Sequence, residues 1–345
     1  MPAAEEIDAS TFGEPPTISF ILPTLNEARR LPRCLESIRR QTYPQEQVEI
    51  LVADGGSTDG TQDIARRFGA TLVDASGLLA EAAKERALRR ATGDLVAFVD
   101  ADNTLVGQRW LQRVVDALDE HPEALGFESA YAFDAEDPPL NRYLTALLHI
   151  SDPWARVASR TPRHRGVTAT GVKLLELPAD GAYPTGANGF VVRRQVLETL
   201  GDDPFHEATF FPQCVRGGRR LLLQRADVLV HHDYVRSWRD YFRKKQRVAI
   251  HYLLRRQEVT GGWDAELSPA RRWAAMLYCA TVVGPLAESV ARALVARRWE
   301  WLLHAPASLV AVLATVVGAT RAGAAGSRSA RVRASRRLKR SPRER

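Results

Sequence analysis

The chain has 345 residues, 45% apolar and 26% charged, a composition that supports a globular core and excludes collagen-like, mucin-like and disulfide-stapled miniature folds. Its net charge of +7 belongs to one end: Arg321 to Arg345 carry ten basic residues and one acid, leaving −2 for everything before them. A near-neutral body argues against a nucleic-acid-binding face.

Cys34, Cys214 and Cys279 are scattered, with neither zinc spacing nor an even-numbered disulfide set, which fits a reducing compartment. Residues 1–16 are acidic and rich in small residues and Pro. They read as a disordered tail and not as a secretory signal, since they lack a basic start and an apolar run.

Two hydrophobic periods then alternate. The run Thr17 to Leu22 predicts a strand, and Leu31, Leu35 and Ile38 fall at helical spacing. Val48 to Ala53 predicts a second strand. After the turn Asp54 to Gly60, a helix carries Ile64 and Phe68 and stops at Gly69. Thr71 to Val73 gives a third strand, Leu78 to Ala91 a helix, and Asp94 to Val99 a fourth strand apolar enough to be buried on both faces. This alternation predicts a parallel sheet with crossover helices. Leu105 to His121 predicts one more helix, with Trp110, Val114, Val115 and Leu118 at core spacing.

From Gly126 to Thr170 the pattern weakens, and Arg163, His164, Arg165 and Gly166 read as a loop. Order returns with Gly186 to Val192, a helix from Arg194, and strand from Leu221 to Val230. Residues 234–270 read as a basic amphipathic helical segment. Residues 271–320 differ in kind. Ala274 to Ala287 is apolar apart from small polar residues, and Leu302 to Thr320 runs 19 residues without formal charge if His304 is neutral. That length approaches the roughly 20 residues that span hydrocarbon. Trp299 and Trp301, beside Arg297 and Arg298, stand where an interfacial aromatic belt would place them. Two readings stay open: a membrane hairpin or interfacial pair, and a buried helical hairpin packed on the body. In the membrane version the Arg-rich tail, residues 321–345, expected to be disordered, marks the cytoplasmic side.

Carboxylates at the C-terminal ends of parallel strands lie where open α/β sheets bind ligands. Asp54 follows the second strand, and Asp100 and Asp102 follow the fourth. An Asp-x-Asp turn offers several oxygens in a small volume, which suits a hard divalent cation bridging a diphosphate, although each string alone is also ordinary turn chemistry.

Three strings in order carry a resemblance: Pro23-Thr-Leu-Asn-Glu27 after the first strand, Asp54-Gly-Gly-Ser-Thr-Asp-Gly-Thr61 after the second, and Ala91 to Asp102 ending the fourth. Together they resemble the inverting family-two glycosyltransferases with the nucleotide-diphospho-sugar transferase (GT-A) fold, a mostly parallel central sheet flanked by helices. The clear resemblance covers Thr17 to Asn103, with weaker matches to about Arg247. It implies a GT-A catalytic domain over residues 17–233.

The resemblance also implies roles. Pro23, Asn26 and Glu27 match the loop around the nucleoside, and Asp54 the carboxylate that bonds the nucleobase. Lys84 stands where the family often has Arg, to offset phosphate charge; here the segment reads Ala83-Lys84-Glu85, without the family's Asn. Asp100 matches the ribose- or metal-contacting carboxylate, Asp102 a metal ligand, and His231 a late His near the metal, with Mg²⁺ or Mn²⁺ as the ion. Glu207 stands for the catalytic base, although Ala208 occupies the place of the family's Asp; Asp202 or Asp203 would serve if the loop is shorter. Gln246-Arg247 lacks the continuation of the processive members' signature, so polymer synthesis is not implied.

The implied activity is metal-dependent, inverting transfer from a UDP-, GDP- or dTDP-sugar to a lipid-linked or other cell-envelope glycan acceptor, at the cytoplasmic face of a membrane and without a nucleic-acid partner. The competing readings are a catalytically degenerate nucleotide-sugar-binding protein, and an adaptor whose Arg tail holds anionic lipid or nucleic acid. No G-x-G-x-x-G follows the first strand, so a nicotinamide dehydrogenase is excluded, and Pro23 to Glu27 is not the glycine-rich basic loop of a nucleotidyltransferase.

Overall fold

The computed structural model describes residues 14–147, 153–184, 186, 188–199, 206–255 and 262–338, apart from the side chains of 251–255 and 323–338. Most of the expected 1–16 tail, the alternative bases Asp202 and Asp203, Ala187 of the glycine-rich segment and residues 339–345 lie outside them.

The first half runs β1 (Ile18–Thr24), α1 (Leu31–Arg39), β2 (Val48–Asp54), α2 (Thr61–Arg67), β3 (Thr71–Asp74), α3 (Ala80–Leu88), β4 (Leu95–Val99), β5 (Asn103–Leu105) and α4 (Trp110–Glu120). The helix expected from Leu105 begins at Trp110, because Leu105 closes β5 and pairs with Val230. The weakly patterned region holds β6 (Gly126–Glu128), β7 (Ala130–Tyr131), α5 (Pro139–Ala146), α6 (Pro153–Ala158), β8 (Arg163–Val167) and β9 (Val172–Glu176). The expected loop at Arg163 to Gly166 is thus an edge strand. Its side chains are mostly exposed and charged, so it shows no apolar alternation but resists pairing with other chains.

There follow β10 (Asn188–Arg193), α7 (Arg194–Glu198), α8 (Glu207–Arg216), β11 (Leu221–Arg225), β12 (Leu229–His232), α9 (Trp238–Arg255), α10 (Pro269–Thr281), α11 (Val283–Ala296) and α12 (His304–Leu338). What read as one strand from Leu221 to Val230 is β11 and β12, in different sheets.

The main sheet has the order β3-β2-β1-β4-β10-β6-β11-β9-β8. β3, β2, β1 and β4 are parallel, as the crossover helices require, whereas β10 runs antiparallel to both β4 and β6. A small sheet, β5-β12-β7, stands beside it. One face buries Leu31, Leu35 and Ile38 of α1 with Trp110, Val114 and Leu118 of α4. The other buries Ala83 and Ala87 of α3 with Phe210, Phe211 and Cys214 of α8 against Phe98 and Phe190. Two glycines make this packing possible. A Cβ at Gly93 would stand 2.6 Å from the Ser19 nitrogen, and Gly189, at φ +75°, faces Ser129 Oγ and Val230 Cγ2 at 2.7 Å.

At the C-terminal end, α10 and α11 are bent 77° apart at Val282, so the first apolar stretch is broken. Among the described residues, one segment, Trp299–Ala322, is long and apolar enough to cross a membrane. The helix then continues past Thr320 to Leu338, where a disordered tail was expected; Ala and Arg are strong helix formers, and the basic run does not end the helix.

Candidate functional site

The loop after β1 and the loop after β2 are laced together. Asn26, in the left-handed region at φ 57°, donates its N–H to Ser57 Oγ (2.8 Å) and accepts Thr58 N–H at Oδ1 (2.9 Å). The Glu27 N–H donates to Thr61 Oγ1 (2.9 Å) and the Ala28 N–H to Asp59 Oδ2 (3.0 Å). Pro23 is the last but one residue of β1, beside Ala53 in register. Asp54 is buried and accepts from the N–H groups of Gly56 (3.1 Å) and Ser57 (2.9 Å), from Ser57 Oγ (2.5 Å) and from Gln62 Nε2 (2.8 Å). Burial pushes its carboxyl up, but these hydrogen bonds, led by Ser57, hold it below the usual range.

Asp100 and Asp102 leave the end of β4 toward different layers. Asp100 Oδ1 lies 3.4 Å from the buried Lys84 Nζ on α3, which also pairs with Glu81 (3.5 Å) and with Glu207 at the start of α8. Lys84 is thus closed among three carboxylates and is not an open phosphate ligand. Burial raises the Glu207 carboxyl, and the Glu81 charge adds to this, against the pull of Lys84. The His206 side chain caps α8, its Nδ1 accepting the Ala208 N–H (3.1 Å) and so fixing the turn that carries Glu207.

Asp102 faces the small sheet. Its Oδ2 accepts from Lys244 Nζ on α9 (3.0 Å), and its Oδ1 lies 3.5 Å from His232 Nε2. Burial opposes ionisation, yet Lys244 first and His232 next hold this carboxyl well below the ordinary range. His232 is held in turn by Asn141: Asn141 Nδ2 donates to the His232 carbonyl (2.9 Å), and Asn141 Oδ1 accepts from the N–H groups of Tyr234 and Val235.

The expected His231 does not join Asp102. Its Nε2 lies 2.9 Å from Asp137 Oδ2, and with Asp134 these groups bring ligand atoms within 4.8 Å of one another. The register of β12 on β5 sets His231 against Thr104 and His232 against Asn103, so adjacent side chains leave opposite faces.

The structure therefore brings Asn26, Glu27 and Asp54 together on one flank, Asp100, Lys84 and Glu207 on a second, and Asp102 with His232 on a third. Sequence reasoning missed His232, Glu81 and Asn141. The His-His pair was a signal that one of the two must face each way, but the choice depends on strand register.

Residues 19–170 match the model described as glycosyl transferase family 2. The glycosyltransferase AglE of Haloferax volcanii is 38% identical over 110 residues, 30% of this chain and 36% of that protein. A PGL/p-HBAD biosynthesis glycosyltransferase of Mycobacterium bovis BCG is 39% identical over 112 residues, 31% of this chain and 43% of that protein. The chain thus spans less than half the length of these relatives. Among solved structures, the mannosyltransferase PcManGT from Pyrobaculum calidifontis, in complex with GDP-Man and Mn²⁺, superposes with a TM-score of 0.52 at 21% identity, over 88% of each chain. That likeness concerns the fold, which is of GT-A type, and it agrees with the strand-end carboxylates and the laced loops; residues 19–170, less than half of the chain, are similar to glycosyl transferase family 2.

Proposed function

We propose that the protein transfers a sugar from a nucleotide diphosphate sugar to a lipid-linked or other cell-envelope acceptor, at the cytoplasmic face of a membrane, by direct displacement with inversion. The observation that carries this reading is the placement of Asp54, Asp100, Asp102 and Glu207 around the C-terminal ends of β2 and β4, where α/β sheets bind nucleotides.

In this reading Asn26, Glu27 and Asp54 form the nucleoside flank, their loops held rigid by the lacing. Asp102, with His232 already facing it, would hold Mg²⁺ or Mn²⁺, while Asp100, two residues earlier, stays on the Lys84 flank; a carboxylate with an imidazole suits either ion. When bound, the ion would neutralise charge on the departing diphosphate. Glu207 would accept the proton of an acceptor hydroxyl as that oxygen attacks the anomeric carbon and the bond to the diphosphate breaks. Lys84 would position Glu207 and Asp100 relative to one another.

The test is nucleotide release and sugar transfer with UDP-, GDP- and dTDP-sugars, with and without Mg²⁺ or Mn²⁺, comparing wild type with Asp102→Ala. Metal-dependent release, lost in the variant, is expected. Nucleotide-sugar binding without turnover across a broad acceptor panel would leave a binding protein, and no binding would overturn the reading.

A further inference from the structure

The three C-terminal helices are turned inside out relative to a water-soluble bundle. Their buried positions are small or polar, among them Ala275 and Cys279 of α10, Ser289 of α11, and His304, Ala307 and Ser308 of α12. Their large apolar side chains point outward: Leu277 of α10, Val283, Leu286 and Leu294 of α11, and Leu302 and Leu313 of α12 are all exposed, Val283 and Leu294 at 74% each. In water, burial of apolar area drives the opposite arrangement. Small residues between helices with large apolar ones outside is what hydrocarbon selects, because there the outer side chains gain nothing by turning inward.

The charge pattern names the occupant and the depth. Residues 273–287 carry no formal charge, and they contain the bend between α10 and α11. Both feet of this elbow are fixed to α6 and the residue after it: Arg271 donates to the carbonyls of Ala158 (2.6 Å) and Ser159 (2.9 Å), and Glu288 pairs with Arg156. The Tyr278 hydroxyl donates to Glu288 and the Thr281 hydroxyl to the Tyr278 carbonyl (3.2 Å), so both hydroxyls of the stretch are satisfied within the unit, as hydrocarbon demands. From Trp273 to Thr281 the first arm rises only about 13 Å, less than half of the roughly 30 Å hydrocarbon core, and so reaches into one leaflet. Arg272 with Trp273, and Arg298 with Trp299, stand at the edges of the apolar surface, where headgroups meet protein. Arginine edges suit anionic headgroups, whereas a second copy of this chain would set like charges against one another.

α12 has the length to cross a bilayer, but its packing forbids it. A Cβ at Gly318 would stand 2.8 Å from the Gln246 carbonyl of α9, and Arg321 donates to Gln246 Oε1 (2.9 Å). α9 in turn exposes Arg239, Arg243 and Arg247 at every fourth residue and holds Lys244 against Asp102. Laying α12 across hydrocarbon would draw these charges in with it, which is strongly unfavourable.

We infer that α10, α11 and α12 form a monotopic unit that seats the chain on one leaflet of a bilayer. The elbow from Trp273 to Ala287 enters the acyl region and returns on the same side, and α12 lies at headgroup level without crossing. This deepens the membrane location proposed above and rests on that part of it, not on the sugar transfer.

The experiment uses the full chain and vesicles of equal parts phosphatidylglycerol and phosphatidylcholine, read by flotation. Depth is read from a nitroxide attached to Val283→Cys or Leu313→Cys; Cys34, Cys214 and Cys279 are buried, which leaves the introduced thiol as the reactive one. Leu277→Gln/Val283→Gln/Leu286→Gln alters the elbow, and Val106→Gln/Val167→Gln removes exposed apolar side chains elsewhere as the control. Wild type and control are expected to partition onto vesicles, and the elbow variant at least about tenfold less, with its thermal midpoint near that of wild type. On vesicles the label at 283 should become open to dissolved oxygen and shielded from a water-soluble nickel chelate, with the label at 313 shallower. A label at 313 found at the bilayer centre would show a span and overturn the inference, as would undiminished partitioning of the elbow variant or a collapse of its thermal midpoint. Self-association of wild type without vesicles, lost in the elbow variant, would give the surface to a second copy and overturn it too. Nucleotide-sugar binding, measured in the same samples, should be unchanged by the elbow substitutions. Flotation as expected without nucleotide-sugar binding would keep the membrane unit and sink the transferase reading; nucleotide-sugar binding by a wild type that does not float would do the reverse.

Discussion

His231 and His232 are neighbours on β12 yet serve different carboxylates, His231 Nε2 lying 2.9 Å from Asp137 and His232 Nε2 3.5 Å from Asp102. The alternation of a strand keeps them apart, so single substitutions separate two possible cation sites. If the ion sits at the strand-end aspartates, His232→Ala weakens the metal activation midpoint by at least about tenfold, comparable with losing a supporting partner of a metal ligand, while His231→Ala leaves it within about twofold. Titration of nucleotide release with Mn²⁺ checks this. The opposite ranking would move the ion to Asp134, Asp137 and His231.

Asp54 organises its loop before any nucleotide arrives. Its carboxylate gathers two backbone N–H groups and the side chains of Ser57 and Gln62, so Asp54→Ala leaves several donors without their acceptor. The expected cost is about 1–3 kcal/mol of unfolding free energy at pH 7, read by urea denaturation. The sign with pH follows from the lowered carboxyl: its contribution is present above the unfolded Asp value of about 3.9 and is lost as pH falls through the folded value. The gap between wild type and variant should therefore narrow in acid. A gap that stays constant down to pH 3 would show that the loop is held by something other than the ionised carboxylate.

The first half of the fold was legible because each parallel strand is a short apolar run followed by an amphipathic helix, and because Asp54 and Asp100 mark strand ends. The second half was not. β8 opens on Arg-His-Arg and is mostly exposed, and β6 has only three residues, so neither period reveals them; Gly186 to Val192 read as ordered, but not that β10 enters the sheet antiparallel. In the site, Lys84 looked like a phosphate ligand from its position alone. What it touches is set by α8, which approaches from more than a hundred residues away and delivers Glu207. His232 was hidden for a related reason: strand register is a tertiary property.

Lys84 stands among Glu81, Asp100 and Glu207, and replacing it with Met would leave three carboxylates in one largely enclosed space. Removing one partner of a buried pair costs about 3–5 kcal/mol, so Lys84→Met is expected to unfold at markedly lower denaturant. A milder change isolates the chemistry. The Glu81 charge helps raise the Glu207 carboxyl, so Glu81→Gln should lower it. If Glu207 is the base, it acts only when ionised, and donor hydrolysis, in which water is the acceptor, should rise with pH along a limb on the alkaline side of ordinary carboxylates. In Glu81→Gln that limb should move to lower pH. An unmoved limb would remove Glu207 from the proton transfer.

α12 has two faces of different chemistry. Ala307, Ala311, Ala314 and Gly318 recur at intervals of three and four and are turned inward, and Gly318 lets the helix approach the Gln246 carbonyl and Ala249 of α9. Any larger residue at 318 meets backbone, so Gly318→Val is expected to cost about 1–3 kcal/mol through overpacking, with the loss confined to the C-terminal helices. Leu309, Leu313 and Val316 point the other way and are 36%, 49% and 52% exposed. If that face lies on a bilayer, with the following arginines drawn to anionic headgroups, changing all three to Gln should remove most of the protein from anionic vesicles in a flotation assay. The thermal midpoint should stay near that of wild type, because exposed positions contribute little to the core. Undiminished flotation would show that α12 does not contact lipid, and a collapse of the thermal midpoint would show that this face is covered by protein.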